Sequence, residues 1–109
     1  MGSRERRKGA TGELELAAIL RDHGWPRARR THDGRAQVDR GDIANGPAGC
    51  HLEVKRQERL NVPAALAQTV ADAGPTLVPI LVHRPSRHVW MATLPLEELL
   101  PLLRLREAS

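Results

Sequence analysis

The run from Leu77 to His83 constrains the fold of this chain more than any other segment. Apart from its final histidine, the run is apolar. A strand of this kind is buried on both faces, so it needs a layer of structure packed on each side. Pro79 lies inside the run and has no N–H to donate, which predicts a sheet edge or a bulge at that strand.

Periodicity, capping residues and turn residues predict eight elements in the order αβββαββα. The first helix is expected to begin at Thr11 as its N-cap and to end near Asp22, and the second to run from Pro63 to Ala73 with Asn61 as its cap. Strands are predicted within residues 25–31, 42–44, 50–56, 77–83 and 88–93, residues 32–40 are expected to form a loop, and a last helix is predicted from Leu96 to about Leu105. The pattern indicates one α/β domain over residues 1–109, with helices against a mixed central sheet and a basic arm at residues 1–9.

The composition limits the core and the cellular setting. Phe and Tyr are absent and there are two Trp, so the core must be built from Leu, Val, Ile and Ala. The single cysteine, Cys50, rules out an intrachain disulfide and suits a reducing cytosol. No apolar run approaches the roughly 18 residues of a membrane span, and the charged N-terminus lacks the apolar segment of a secretory signal. These features predict a cytoplasmic protein without membrane association.

The positive charge is concentrated in one half of the chain. Residues 1–60 hold 13 Lys and Arg against 9 Asp and Glu, whereas residues 61–109 hold 4 of each. A basic surface of this kind suits a phosphate backbone. The alternative is ordinary charge that keeps the protein soluble.

Glu53 and Lys55 form the most informative motif. Side chains alternate faces along a strand, so Glu53 and Lys55 project together while Leu52 and Val54 pack inward. His51 shares the face of Glu53 and is expected at the surface. The pair is either a weak ion pair on a solvated face or a metal ligand beside a cation that acts on an attacking water.

Two further acids complete a candidate metal site. Asp42 precedes Ile43 at a strand entry, and Asp39 and Asp33 compete with it as the ligand. At about 100° per residue, Glu13 falls next to the buried stripe of the first helix, where it either reaches the sheet or merely complements the helix dipole; Glu15 falls on the solvated side. Mg²⁺ needs only a few carboxylates and keeps several waters. Asp42 and Glu53 are therefore predicted as direct ligands with the carbonyl of Val54, and Lys55 as the group that holds or deprotonates the water.

These residues together resemble a known family. Lys8-Gly9, then Glu13 on a Leu-rich helix, Asp42-Ile43 and Glu53-Val54-Lys55 resemble the PD-(D/E)XK nuclease superfamily, and most of all the archaeal-type Holliday junction resolvases with their phage and bacterial relatives. The resemblance covers residues 6–93 and implies a restriction-endonuclease-like fold. It departs from the family at Gly41, where the family has proline, in the shorter loop before Glu53, and in lacking the aromatic residues of the family dimer.

The resemblance also implies a function. It implies a Mg²⁺-dependent enzyme, also able to use Mn²⁺, that resolves four-way DNA junctions by paired nicks in recombination and repair. It implies a homodimer in a bacterial, archaeal or phage-infected cell. The catalytic positions fall on Glu13, Asp42, Glu53 and Lys55, with Gln68 near the site; Glu13, Asp42, Glu53 and Val54 hold the metal. Candidate contacts to DNA are Arg4, Arg6, Arg7, Lys8, Arg30 and Thr31.

Other functions remain open at this point. A nuclease of the same fold acting on flap, nicked or linear DNA shares the whole catalytic set. A non-catalytic basic DNA-binding domain gains nothing from carboxylates that face phosphate. An accessory protein could use the Leu-rich last helix as an interaction surface, although we expect that stripe to be core.

Overall fold

A computed structural model describes residues 3–31 and 41–109, with side chains described for 10–31 and 41–109. The elements are α1 Ser3–Asp22, β1 Arg29–Arg30, β2 Ile43–Ala44, β3 Cys50–Arg56, α2 Val62–Ala73, β4 Val78–Arg84, β5 Met91–Thr93 and α3 Leu96–Ala108. Their order confirms the predicted α/β class, with a mixed three-stranded sheet flanked by helices. The loop expected at 32–40 lies outside the described residues. Across the two described ranges, none of the helices has the length and apolarity to cross a membrane.

Strand β4 occupies the middle of the three-stranded sheet. It runs parallel to β3 on one side and antiparallel to β5 on the other, so the expected edge position is wrong. The amide of Val78 donates to the carbonyl of Gly49 in front of β3, at 2.8 Å. Because amides alternate sides along a strand, an amide at Pro79 would point away from β3. The pairing with β5 begins only at Leu81, so proline is tolerated here.

Helix α1 covers one face of the sheet. Leu16 and Ala17 are buried in one cluster with Ile43, Leu52, Val54 and Val82. Gly12 explains how closely α1 approaches β3, since a Cβ there would lie 3.1 Å from Cβ of Arg56 and 3.5 Å from Cγ1 of Val54. A larger residue would push the helix off the sheet. The predicted inward face of β3 is therefore confirmed at Leu52 and Val54.

Helix α2 covers the opposite face. It packs on β3 and β4 through Thr69 and Ala73, which are both buried. Leu81 points to this side and is fully buried, at 0% exposure. The predicted cap of α2 is confirmed, because the side chain of Asn61 accepts a hydrogen bond from the amide of Ala64 at 3.1 Å. Both faces of β4 are thus covered, as its apolar sequence predicts.

Two predicted features of the termini are wrong. Helix α1 begins at Ser3, so residues 3–9 belong to a helix rather than an arm, and Thr11 is not its cap. Arg, Glu and Lys are good helix formers, and this propensity prevails over the capping preference of Thr11. Helix α3 was expected to pack into the core. The structure describes every side chain of α3, and none of them is buried.

Candidate functional site

Asp42 joins the two sets of strands. Strands β1 and β2 form their own antiparallel pair, in which Arg30 faces Ile43. The amide of Asp42 donates to the carbonyl of Leu52 at 2.8 Å, and its Oδ2 accepts from the amide of Val54 at 2.8 Å. The carboxylate thus takes the place that a backbone carbonyl would have in a continuous ladder. These bonds hold the side chain of Asp42 beside the centre of β3.

The carboxylate of Glu53 is hydrogen-bonded to a buried histidine, His51. Nε2 of His51 lies 2.9 Å from Oε1 of Glu53, and His51 is only 3% exposed, so its expected surface position is wrong. Its Nδ1 is buried and has no hydrogen-bond partner among the residues that the structure describes. An orphaned buried N–H is rare in folded proteins, more so than an under-satisfied acceptor. We therefore assign the ring proton to Nε2, which donates it to the carboxylate of Glu53.

Asp42 and Glu53 lie close enough to repel each other. Burial raises the pKa of Glu53 above its ordinary value of 4.5, and the negative charge of Asp42 raises it further. The hydrogen bond from His51 and the positive charge of Lys55 act in the opposite direction. Two carboxylates in a half-buried position are costly unless a cation neutralises them. The electrostatics of the pair therefore suit a bound cation.

Gly41 makes room for this arrangement. Its φ is +62°, and a Cβ there would lie 2.6 Å from the carbonyl oxygen of Leu52 and 3.3 Å from the ring of His51. Proline is restricted to φ near −65°, so the proline of the resembled family cannot stand at this position. The departure at Gly41 follows from the backbone path and from the buried His51.

Lys55 and the backbone carbonyl of Val54 are the other polar groups of β3 next to Glu53. Lys55 shares the strand face of Glu53 and is half-buried. The N–H and C=O of one strand residue point to the same side. Because the amide of Val54 binds Asp42, its carbonyl also points towards Asp42. Two carboxylates and one carbonyl are hard oxygen ligands of the kind that Mg²⁺ accepts, with water filling the other positions.

Glu13 is close to the sheet but paired differently from the prediction. It is buried, with 8% exposure, as the helical wheel predicts. Its Oε1 accepts from Nε of Arg30 at 2.9 Å. Within residues 3–31 and 41–109, no three His, Cys, Asp or Glu side chains are grouped as a metal site. The role of Glu13 as a third metal ligand stays a prediction.

The remaining predicted residues are more dispersed. Gln68 is exposed on α2 and donates to Asp72 at 2.9 Å, so its position gives no support to a role at the site. Thr31 is 5% exposed and its hydroxyl donates to the carbonyl of Gly41, which argues against a contact with DNA. The side chain of Arg30 is 30% exposed beside Glu13. The side chains of Arg4, Arg6, Arg7 and Lys8, and all of Asp33 and Asp39, lie outside the described part of the chain.

An ion-pair cluster on the other face of the sheet was not anticipated. Glu15 accepts from Nη2 of Arg84 at 2.8 Å and lies 3.5 Å from Nε of Arg56, so its expected solvated position is wrong. The guanidinium of Arg84 also stacks 5.3 Å from the ring centroid of Trp90. No local pattern pairs residues 69 positions apart. The cluster fastens α1 to the ends of β3 and β4.

A cleft of about 190 Å³ has neither Asp42 nor Glu53 in its lining. Its lining residues are Ile43, Ala44, Asn45, Gly46, Pro47, Cys50, Leu52 and Leu77. None of them carries a charge, and the titratable side chain in the lining is the thiol of Cys50, whose pKa is raised by burial. Comparison with protein-family models, curated proteins and solved structures finds no match to this chain. The function must therefore be inferred from the geometry around Asp42 and Glu53.

Replacing Gly41 by alanine should destabilise the protein more than the same change at Gly49. Both glycines have a positive φ, +62° and +77°, so both variants carry similar backbone strain. Only at Gly41 does the new Cβ meet other atoms. We expect Gly41→Ala to cost about 1–3 kcal/mol more than Gly49→Ala, which is typical of overpacking. Urea unfolding of both variants measures the difference, and equal losses would contradict the crowding of Leu52 and His51 against Gly41.

The variant Glu53→Gln should reduce the pH dependence of stability. A native pKa above the unfolded value means that the native state binds more protons between the two pKa values. Stability therefore falls as the pH rises from about 4.5 through the raised native pKa of Glu53. Glutamine removes this loss, so metal-free Glu53→Gln should be at least as stable as the wild type at pH 7.

The free energy of unfolding, measured from pH 4 to pH 8 in chelator, tests this expectation. Glu107→Gln is the matched control, because the side chain of Glu107 is 68% exposed and its removal should change the pH profile little. If Glu53→Gln kept the wild-type dependence of the free energy of unfolding on pH, the carboxylate pair would not be its source.

Proposed function

We propose that this protein is a Mg²⁺-dependent endonuclease with a restriction-endonuclease-like fold. The observation that carries the proposal is the pair of carboxylates of Asp42 and Glu53, held near each other by the amide of Val54 and by His51. A protein that only binds DNA gains nothing from acids directed at phosphate. The sheet covered by α1 and α2, with a helix-borne Glu13 beside it, agrees with the PD-(D/E)XK resemblance.

Each residue has a defined task in this proposal. Asp42, Glu53 and the carbonyl of Val54 would hold the ion, which when bound neutralises charge on the phosphate and lowers the pKa of a bound water. Lys55, on the face of Glu53, would hold that water or stabilise the charge that develops on the phosphate. His51 orients Glu53 by donating to Oε1, as groups behind metal ligands commonly do. Arg30 and Glu13 would position each other beside the strand pair that carries Ile43, the neighbour of Asp42.

The substrate that we favour is a four-way DNA junction. The excess of Lys and Arg lies entirely within residues 1–60, which also contain the carboxylates. Phosphate contacts from such a surface recognise DNA shape rather than base sequence. A two-fold homodimer would present one site to each of two opposed strands of a junction. Mn²⁺ is expected to replace Mg²⁺, since it accepts the same oxygen ligands.

Neutralising either carboxylate should stop cleavage without unfolding the protein. We expect Asp42→Asn, Glu53→Gln and Lys55→Met each to lower the cleavage rate by at least about 10²-fold, the scale seen for loss of one electrostatic group. Binding of a labelled junction in Ca²⁺ should persist. The control is Asp22→Asn, because Asp22 is exposed at the end of α1. Normal cutting in Mg²⁺ by Asp42→Asn or Glu53→Gln, or wild-type cutting in excess chelator, would refute the metal assignment.

The substrate is tested separately from the chemistry. Equal amounts of four-way junction, flap, nicked duplex and linear duplex are incubated with wild-type protein in Mg²⁺, and the products are separated by strand. We expect the junction to be cut fastest, by nicks at symmetric positions on opposed strands. Faster cleavage of flap, nicked or linear DNA would retain the nuclease and replace the junction as its substrate.

A further inference from the structure

Helix α3 exposes a leucine surface that the domain itself leaves uncovered. Among the described residues, no side chain of α3 is buried. Leu96, Leu99, Leu100 and Leu103 follow the spacing of one helical face. Of these, Leu96 is 64% exposed, Leu100 46% and Leu103 45%. Several large apolar side chains on one exposed face are unusual for a surface that contacts only water.

The charges beside this face identify what fits it. Glu97 and Arg104 are seven residues apart, which is about two helical turns, so they lie on the same side of the leucine face. A second α3 packed in the same direction about a two-fold axis would place its Glu97 and Arg104 on the opposite flank of the contact, where neither faces its counterpart. A second α3 packed in the opposite direction would set each Glu97 against the Arg104 of the other helix. The helix is therefore self-complementary only in the antiparallel arrangement.

We propose that α3 is a homotypic docking surface, on which the α3 of a second copy of this chain packs antiparallel about a two-fold axis. The leucines of the two helices bury each other, and two symmetric Glu97–Arg104 pairs flank them. In the single copy, Arg104 is paired with Glu107 at 2.8 Å, and the two side chains are 83% and 68% exposed. Exposed pairs of this kind contribute little, so Arg104 can exchange Glu107 for Glu97 at small cost.

The size of α3 sets the expected strength of the contact. Thirteen residues give a helix about 20 Å long. Its face is smaller than the roughly 800 Å² that each partner contributes to a standard interface. We therefore expect a dimer that dissociates at micromolar concentrations rather than an obligate one. The proposal rests on α3 alone and needs neither DNA nor metal, so it stands or falls separately from the nuclease.

Sedimentation equilibrium of the full chain over a concentration series tests the surface. The wild type should show a monomer–dimer equilibrium, and the combined variant Leu100→Gln with Leu103→Gln should sediment as a monomer. The matched control is Val89→Gln, which alters an apolar residue that is 76% exposed outside the helix and should dimerise as the wild type does. Because these side chains are exposed, the far-ultraviolet circular dichroism and the midpoint of thermal unfolding should be retained in each variant at concentrations where the wild type is monomeric.

Charge reversal tests the direction of packing. Glu97→Arg alone and Arg104→Glu alone place like charges at both contacts, so each should weaken the dimer by about tenfold or more. The double variant restores both antiparallel pairs and should dimerise as the wild type does. In a parallel pair Glu97 and Arg104 would not face each other, so the single variants would not show the matched loss that the double variant recovers. A mixture of the two single variants should also associate, as a heterodimer.

Three results would overturn the proposal. The first is a wild type that remains monomeric up to millimolar concentration. The second is a dimer that Leu100→Gln with Leu103→Gln leaves intact, since another surface would then form it. The third is a double charge variant as weak as the single ones, since antiparallel pairing requires its recovery.

Discussion

The hydrogen bond from the amide of Val54 to the carboxylate of Asp42 determines how the parts of this domain fit together. Strands β1 and β2 pair with each other through only two residues of each strand. Such a short ribbon has little stability of its own. Its attachment to β3 passes through Asp42, which uses its backbone amide and its side chain in successive positions along β3. The carboxylate that defines the candidate site therefore also aligns the ribbon.

The attachment of Asp42 to β3 through both its amide and its carboxylate has an electrostatic consequence. Anchoring Asp42 beside β3 brings its charge near Glu53, whose pKa is raised by burial and by that charge. His51 and Lys55 offset part of the effect, and a side chain at position 41 would crowd both the carbonyl of Leu52 and the ring of His51. The native structure thus holds an unfavourable charge pair in place with several specific contacts. Electrostatic repulsion of this kind is typical of functional sites, where a group needed for binding lowers the stability of the unliganded protein.

Local patterns predicted much of the fold and less of the site. Strand β3 and the cap at Asn61 follow from alternation and from side-chain hydrogen bonding, which involve neighbours in sequence. The burial of His51 and the pairing of Glu15 with Arg84 depend on which helix covers each face of the sheet, and local spacing does not contain that information. Helix α1 begins earlier than predicted because the helix propensity of residues 3–9 prevails over the capping preference of Thr11.

Helix α3 stays outside the core for a geometric reason. A sheet has two faces, and in this domain α1 occupies one and α2 the other. Every inward position of β4 is already covered, with Leu81 fully buried. A third helix that follows β5 therefore has no sheet face left, however apolar its sequence. A leucine stripe normally predicts core, but that inference assumes an uncovered face within the same domain. Once both faces are occupied, the same stripe indicates a partner surface, and its charge pattern decides which partner fits.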